Sequence, residues 1–147
     1  MSYSIGIRNV KMGNNIKIIE PCNIYECKLD DNVFIGPFVE VQKNVSIGKG
    51  TRIQSHSFIC ELVKIGENCF IAHGVMFIND LFSGGGPAKG DKSLWKSTTI
   101  GNNVSIGSNS TILPVEICDN VVIGAGSVVT KSIKQPGTYV GNPAKLL

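Results

Sequence analysis

The chain has 147 residues, 42% hydrophobic and 17% charged, with a formal net charge of +3; that suffices for one domain over 1–147 and is too little for two of ordinary size. Its Lys and Arg are scattered and its aromatics amount to 7%, so it lacks the basic stripe with stacking rings that grips nucleic acid. No apolar run nears the roughly 18 residues of a membrane-spanning helix, the start MSYSIGIRNV is not a signal peptide, and five cysteines without CxxC spacing fit neither a disulfide framework nor a zinc knuckle; the expected setting is a reducing cytoplasm, with no membrane insertion.

Residues 1–28 carry a loose pattern (Ile5-Gly6, Ile16, Ile24), read as first, irregular coils. An unbroken register then begins, with an aliphatic or aromatic residue every six positions: Leu29, Ile35, Val41, Ile47, Ile53, Ile59, Ile65, Ile71 and Phe77. Four places after each stands a second small or apolar residue, from Val33 through Thr51 and Ser57 to Val75 and Leu81. Gly36, Gly48 and Gly66 follow the aliphatic directly. Phe77 and Ile100 are 23 residues apart, five more than one coil of eighteen. The excess lies in LFSGGGPAKGDKSLWKST, whose Gly84-Gly85-Gly86-Pro87 cannot continue a strand, so a loop over about 82–98 is expected to leave the body. The register restarts at Ile100, Ile106 and Ile112, then resumes at Ile117, Ile123 and Val129 after ILPVEI, which is one residue short. The tail from Pro136 is expected to pack back on the last coil.

A period of six fits neither an amphipathic helix nor an ordinary alternating strand. It fits short strands joined by tight corners, three to a coil, with two residues per hexad pointing inward. Glycine beside the first inward residue allows a positive φ or a close backbone approach. Successive coils then pair as parallel strands about 4.8 Å apart. The fold class is all-β, a parallel β-helix. Outward Phe34, Phe58, Phe70 and Val122 are candidates for a contact surface, or else scattered surface residues.

Chemistry is sought where the repeat breaks. Glu61 and Asn79 are eighteen residues apart, one coil, so they occupy the same third place of stacked hexads; Lys43 lies one coil below. This column is either a site wall or a set of ordinary solvent-facing corners. Asp80 follows Asn79 at the root of the loop. Ser108 and Ala125 are 17 apart, one short coil, and should stack.

The repeat resembles that of left-handed β-helix acyltransferases, and the left hand is an implication of that resemblance. Within that group the stretches AHGVMFINDLFSGGGPAKGD, LWKSTTIGNNVSIGSNSTILP, VVIGAGSVVTKSI and YVGNPAK resemble the N-acetyltransferases of nucleotide-linked amino sugars, including those acting on dTDP-3-amino-3,6-dideoxyhexoses for surface glycans. The likeness runs over roughly 20–147. IGAGSVV and GNPA are common to hexapeptide acyltransferases at large, whereas the Asn-Asp pair with a Glu one coil upstream is narrower. The resemblance implies a homotrimer with sites between prisms, an acceptor pocket lined by Glu61, Asn79 and Asp80, and acetyl-CoA as co-substrate. It carries Ser108, Ala125, Thr130, Lys131 and Lys145 onto the coenzyme A groove, the two lysines meeting phosphates; a solvated terminal surface is their other reading.

Related O-acetyltransferases use a histidine base, because a hydroxyl must lose its proton to attack, and in the galactoside enzymes it stands in the extruded loop. Residues 82–98 hold no histidine, which favours an amine acceptor. Of the two histidines, His56 and His73, His73 lies one hexad before Asn79 and on another edge of its own prism; it is either a catalytic group brought across a trimer or a plain corner residue. Two histidines do not make the three-histidine zinc site of a γ-type carbonic anhydrase, and no metal is expected. The expected reaction is direct attack by the amine, without an acyl-enzyme. The alternatives are O-acetylation with His73 as base and a β-helix scaffold without catalysis.

Overall fold

A computed structural model describes residues 6–147; Ile5 of the first expected hexad lies outside that range. Strands of two to four residues wind into a parallel β-helix of about seven turns. Three sheets form the faces of a prism. Face A stacks seven strands, from Ile7–Arg8 through Asn23–Tyr25, Glu40–Val41, Phe58–Ile59, Met76–Phe77 and Thr111–Ile112 to Val128–Val129. Face B stacks six, from Lys11–Met12 to Glu116–Ile117, and face C stacks eight, from Lys17–Ile18 to Lys145–Leu146.

The register is that of the hexads. Ile47 pairs with Ile65, Ile53 with Ile71, and Phe77 with Ile112, so like stacks on like along the axis. The first inward residues are buried to within a few percent, and Val33, Val39, Val45, Val63 and Val75 behind them are equally enclosed. Polar residues at that second place survive because their hydroxyls are satisfied: Ser57 donates to the Ala72 carbonyl at 2.8 Å and accepts from the Val75 amide at 3.2 Å.

Two expectations are corrected, for Leu81 with its loop and for the N-terminal coil. Leu81 does not continue the inward series: it is 46% exposed, because the chain leaves the prism after Phe77 and returns only at Thr98–Ile100. The excursion is therefore 78–97, emerges whole from the A/B edge, and contains no coil. Of the two reasons for glycine after the aliphatic, close approach holds at Gly36, Gly48 and Gly66: none has a positive φ, and a Cβ on Gly48 would lie 2.6 Å from the Gly66 carbonyl. Left-handed backbone falls three residues after most of the inward aliphatics, at Asn32, Asn44, Gly50 and Asn68 among others. The N-terminal coil also pairs in full register, Ile7 with Ile24, Met12 with Leu29 and Ile18 with Ile35. The tail packs back as expected: Gly137–Val140 pairs with Val121–Ile123, then Lys145–Leu146 turns antiparallel against it. No helix among the described residues is long and apolar enough to cross a membrane.

Candidate functional site

The A/B edge gathers Glu61 and Asn79. The Asn79 side-chain amide donates to the Glu61 carbonyl at 3.2 Å, which is the contact that stacking one coil apart allows. Both residues are only 9% exposed. The third member of the column does not join them: Lys43 turns to Glu26, 3.9 Å away in solvent. Below, the Glu61 amide donates to Gln42 Oε1, and Gln42 Nε2 donates to Glu40. Above, the loop is closed at its base by Lys96 N–H donating to the Asn79 carbonyl at 2.8 Å and Thr98 N–H donating to the Leu62 carbonyl at 3.1 Å.

Asp80 has a defined task in this frame. One carboxylate oxygen accepts from the Phe82 amide at 3.0 Å and the other from the Ala88 amide at 2.7 Å, so Asp80 ties both halves of the glycine-rich turn to the loop's root. The loop then makes one helical turn, Lys92–Leu94, capped by Asp91. Lys92 Nζ reaches back to both oxygens of Glu61 at 3.1 Å and lies 5.3 Å from the centre of the Trp95 ring. Between loop and face A opens a cavity of about 320 Å³, lined by Gln42, Phe58, Cys60, Asn79, Phe82 and Trp95 among others. The larger hollow of about 460 Å³ around Asn9, Lys11 and Glu26 has no such cover. Burial pushes the Cys60 thiol up to about 12, the backbone lowering it somewhat and the Glu61 charge raising it. This cysteine is therefore no thiolate nucleophile near neutral pH.

The remaining candidates lie elsewhere on the prism. His73, Ser108 and Ala125 follow Ile71, Ile106 and Ile123, which are in register, at the same step, so the three stack in one column on the C/A edge. Backbone bonds run up this edge, Asn109 N–H to the His73 carbonyl and Gly126 N–H to the Ser108 carbonyl. His73 and Ala125 are exposed and Ser108 is half-buried. His56 shares the edge, stacked on Phe38 with ring centres 4.9 Å apart. Thr130 and Lys131 follow Val128–Val129 on the A/B side, and Lys145 sits in the terminal antiparallel strand opposite Val140. One chain thus brings Glu61, Asn79 and Asp80 together and keeps His73, Ser108 and Ala125 on the far side of face A.

Sequence reasoning missed Lys92, Trp95 and Gln42. The loop has no register from which to place Lys92, although it contains the chain's single tryptophan, a visible sign of a built surface.

A family model described as "Bacterial transferase hexapeptide (six repeats)" matches residues 26–61, and one described as "Hexapeptide repeat of succinyl-transferase" matches 97–131. The chain is 34% identical over 145 residues to the bifunctional protein GlmU of Ruthia magnifica subsp. Calyptogena magnifica, covering 86% of this chain and 29% of that protein. It spans less than a third of the length of the curated relatives it matches. A hexapeptide transferase family protein from Anaplasma phagocytophilum superposes with a TM-score of 0.76 over 97% of this chain and 82% of that one, at 20% identity, which is a likeness of fold. The polySia specific acetyltransferase NeuO is 27% identical, covering 97% of this chain and 77% of its own, with a TM-score of 0.58. The matched repeats lie on either side of the loop, in one register that the loop interrupts without shifting, so the chain carries the hexapeptide repeat of bacterial transferases both before and after the excursion.

Proposed function

We propose that the chain transfers an acetyl group from acetyl-CoA to the amino group of a sugar, specifically the 3-amino group of a nucleotide-linked, dTDP-type deoxyhexose used for surface glycans. The observation that carries this reading is the buried Glu61–Asn79 pair under the loop, of which Asn79 lines, together with Asp80, a cavity without histidine in its lining. An amine is nucleophilic once neutral, so it needs a carboxylate to orient it and receive its proton more than it needs an imidazole base. The nitrogen lone pair attacks the thioester carbonyl, the tetrahedral intermediate expels the coenzyme A thiolate, and the proton leaves the nitrogen towards Glu61. The Asn79 amide keeps one N–H beyond its bond to Glu61 for a sugar hydroxyl or the developing oxyanion. The donor would run along the C/A edge past Ser108 and Ala125, where small side chains leave the backbone open, with Lys145 and, from the A/B side of a neighbouring protomer, Thr130 and Lys131 towards the coenzyme's phosphates. NeuO, an acetyltransferase by name, supports the donor chemistry.

Both edges that carry these residues flank face A. Its outward column reads Asn23, Glu40, Phe58, Met76, Thr111, Val128, with one charge, whereas that of face B reads Lys11, Lys28, Ser46, Lys64, Thr99, Glu116, with four. A trimer with face A turned inward would set the loop of one protomer against the His73–Ser108–Ala125 edge of the next, completing the site and keeping face B wet. Light scattering is expected to show a trimer; a fully active monomer would refute it.

A second reading, O-acetylation with His73 as base, is favoured by the stacking of His73 directly below Ser108 and Ala125. Turnover of acetyl-CoA with the 3-amino and 3-hydroxy forms of the same nucleotide sugar separates the two, and no turnover with either leaves the scaffold. We expect acetylation of the amine alone, a loss of about 10²–10³ in kcat for Asn79→Ala if it holds the oxyanion, and a mild effect of His73→Asn. If His73→Asn abolishes turnover and Asn79→Ala leaves it intact, the second reading takes its place.

A further inference from the structure

The ion pair between Glu61 and Lys92 differs from the other two among the described residues. Lys28–Asp30 and Lys43–Glu26 are open to water on both sides, with side chains 44–61% exposed. In the third pair the Glu61 side chain is 11% exposed, and its two oxygens share one cation at 3.1 Å each. That cation is not part of the prism. It is delivered by the loop, 31 residues along the chain, on a side chain 58% exposed. Its ammonium stands between a buried carboxylate and the face of Trp95, an arrangement of charge and ring that recognises cations. Asn79 and Trp95 both line the adjacent cavity.

We propose that Lys92 is a tethered stand-in for the acceptor's ammonium group, and that the acceptor binds by exchanging with it at Glu61. The inference rests on the amino-sugar reading and adds how that acceptor is selected. A buried carboxylate stripped of its partner is strongly unfavourable, so Lys92 leaves only when another cation enters. An ammonium meets that condition and a hydroxyl does not. Selection for nitrogen over oxygen then occurs at binding, before any proton moves; the bound ammonium must next lose one proton to solvent to free its lone pair, and the proton released after attack goes to Glu61. Lys92 is a specificity residue and touches no reacting atom.

Trp95, the single tryptophan of the chain, reports the exchange by its fluorescence without any turnover. The probes are free aminohexoses and the matching hexoses. Aminohexoses are expected to shift the emission of the wild-type protein, and hexoses are not. In Lys92→Met the carboxylate has lost its internal competitor, so aminohexoses should half-saturate at about tenfold lower concentration, the competing state having been removed. Lys92→Arg keeps a tethered cation and should show no such gain, and Glu61→Gln should abolish the difference between the sugars. Unchanged or weaker aminohexose binding in Lys92→Met, a gain also in Lys92→Arg, or an equal response to both sugar classes would each overturn the proposal. Failure of the functional reading looks different: aminohexoses would exchange as described and yet not be acetylated. Conversely, acetylation of amines with a KM indifferent to Lys92→Met would leave the function standing and remove the exchange.

Discussion

Replacing Asp80 by alanine tests whether this residue holds the loop or acts on the substrate. The carboxylate accepts two backbone amides, Phe82 at 3.0 Å in solvent and Ala88 at 2.7 Å in a partly buried setting. Hydrogen bonds to a charged group contribute about 1.5–3 kcal/mol each, less where water competes, so the pair is worth about 2–4 kcal/mol to the closed loop. At 1.4 kcal/mol per factor of ten, the ratio of closed to open loop falls about 30- to 700-fold. The prism hardly notices, since within 78–97 only Asn79 and Ala88 are buried. Trypsin cleavage at Lys89, Lys92 and Lys96, which tracks the open population when reclosing is fast, should therefore accelerate by at least tens-fold. The melting temperature should stay nearly constant while KM for the acceptor rises. Unchanged cleavage combined with abolished turnover would refute the clamp and put Asp80 on the reacting atoms.

Two further outcomes follow from the prism. Gly48→Ala places a Cβ 2.6 Å from the Gly66 carbonyl and should cost about 1–3 kcal/mol as coils are forced apart, whereas Gly84→Ala, with nothing within 4 Å, should be neutral; equal melting temperatures for the two would contradict close approach as the reason for the glycine. Burial pushes the Cys27 thiol up to about 11 and Cys60 to about 12, from an ordinary 9.0. The unfolded chain then loses these protons first as pH rises above 9, so resistance to urea should decline from about pH 9 towards 12. The decline should flatten in Cys27→Ala/Cys60→Ala, and Cys60→Ala should retain turnover at neutral pH.

How much was legible depended on what a six-residue period encodes. It encodes which side chain points inward, so Ile53, Ile59, Ile65 and Ile71 were placed in the core from spacing alone, and so was the juxtaposition of Glu61 with Asn79. It does not encode where the backbone leaves the prism: Leu81 satisfies the hexad by composition while lying 46% exposed in the loop. The period is also silent about Lys92, since a contact from an excursion depends on how the excursion folds, here through Asp80, Asp91 and the Asn79–Lys96 bond. The N-terminal coil was read as irregular because its apolar residues are sparse. Its backbone nevertheless pairs strand by strand with the next coil, whose ordered core templates its hydrogen bonds.

The corners carry a signal that the inward residues do not. On the B/C edge every left-handed position is Asn or Gly: Asn15, Asn32, Gly50, Asn68, Asn103 and Asn120. These are the residues that adopt this conformation at least cost. On the two edges that flank face A the rule is broken by Glu26 and Leu62 on one side and Phe38 and His56 on the other. Such residues cost about 1–2 kcal/mol each in this region and persist where surroundings or function hold them. Leu62 sits at the root of the loop, where its carbonyl receives Thr98, and Phe38 stacks on His56. Glu26 has only its solvent-exposed pairing with Lys43 at 3.9 Å, and such pairs contribute about 0–1 kcal/mol. Glu26→Asn should therefore relieve more strain than it loses in attraction, a net gain near 1 kcal/mol that raises the melting temperature by about 2–4 °C for a chain of this size. Turnover should be unaffected, since Glu26 lies three coils below Asn79 in its column. A fall in melting temperature that is reversed by high salt would show instead that the Lys43 pair, and not backbone strain, governs this corner.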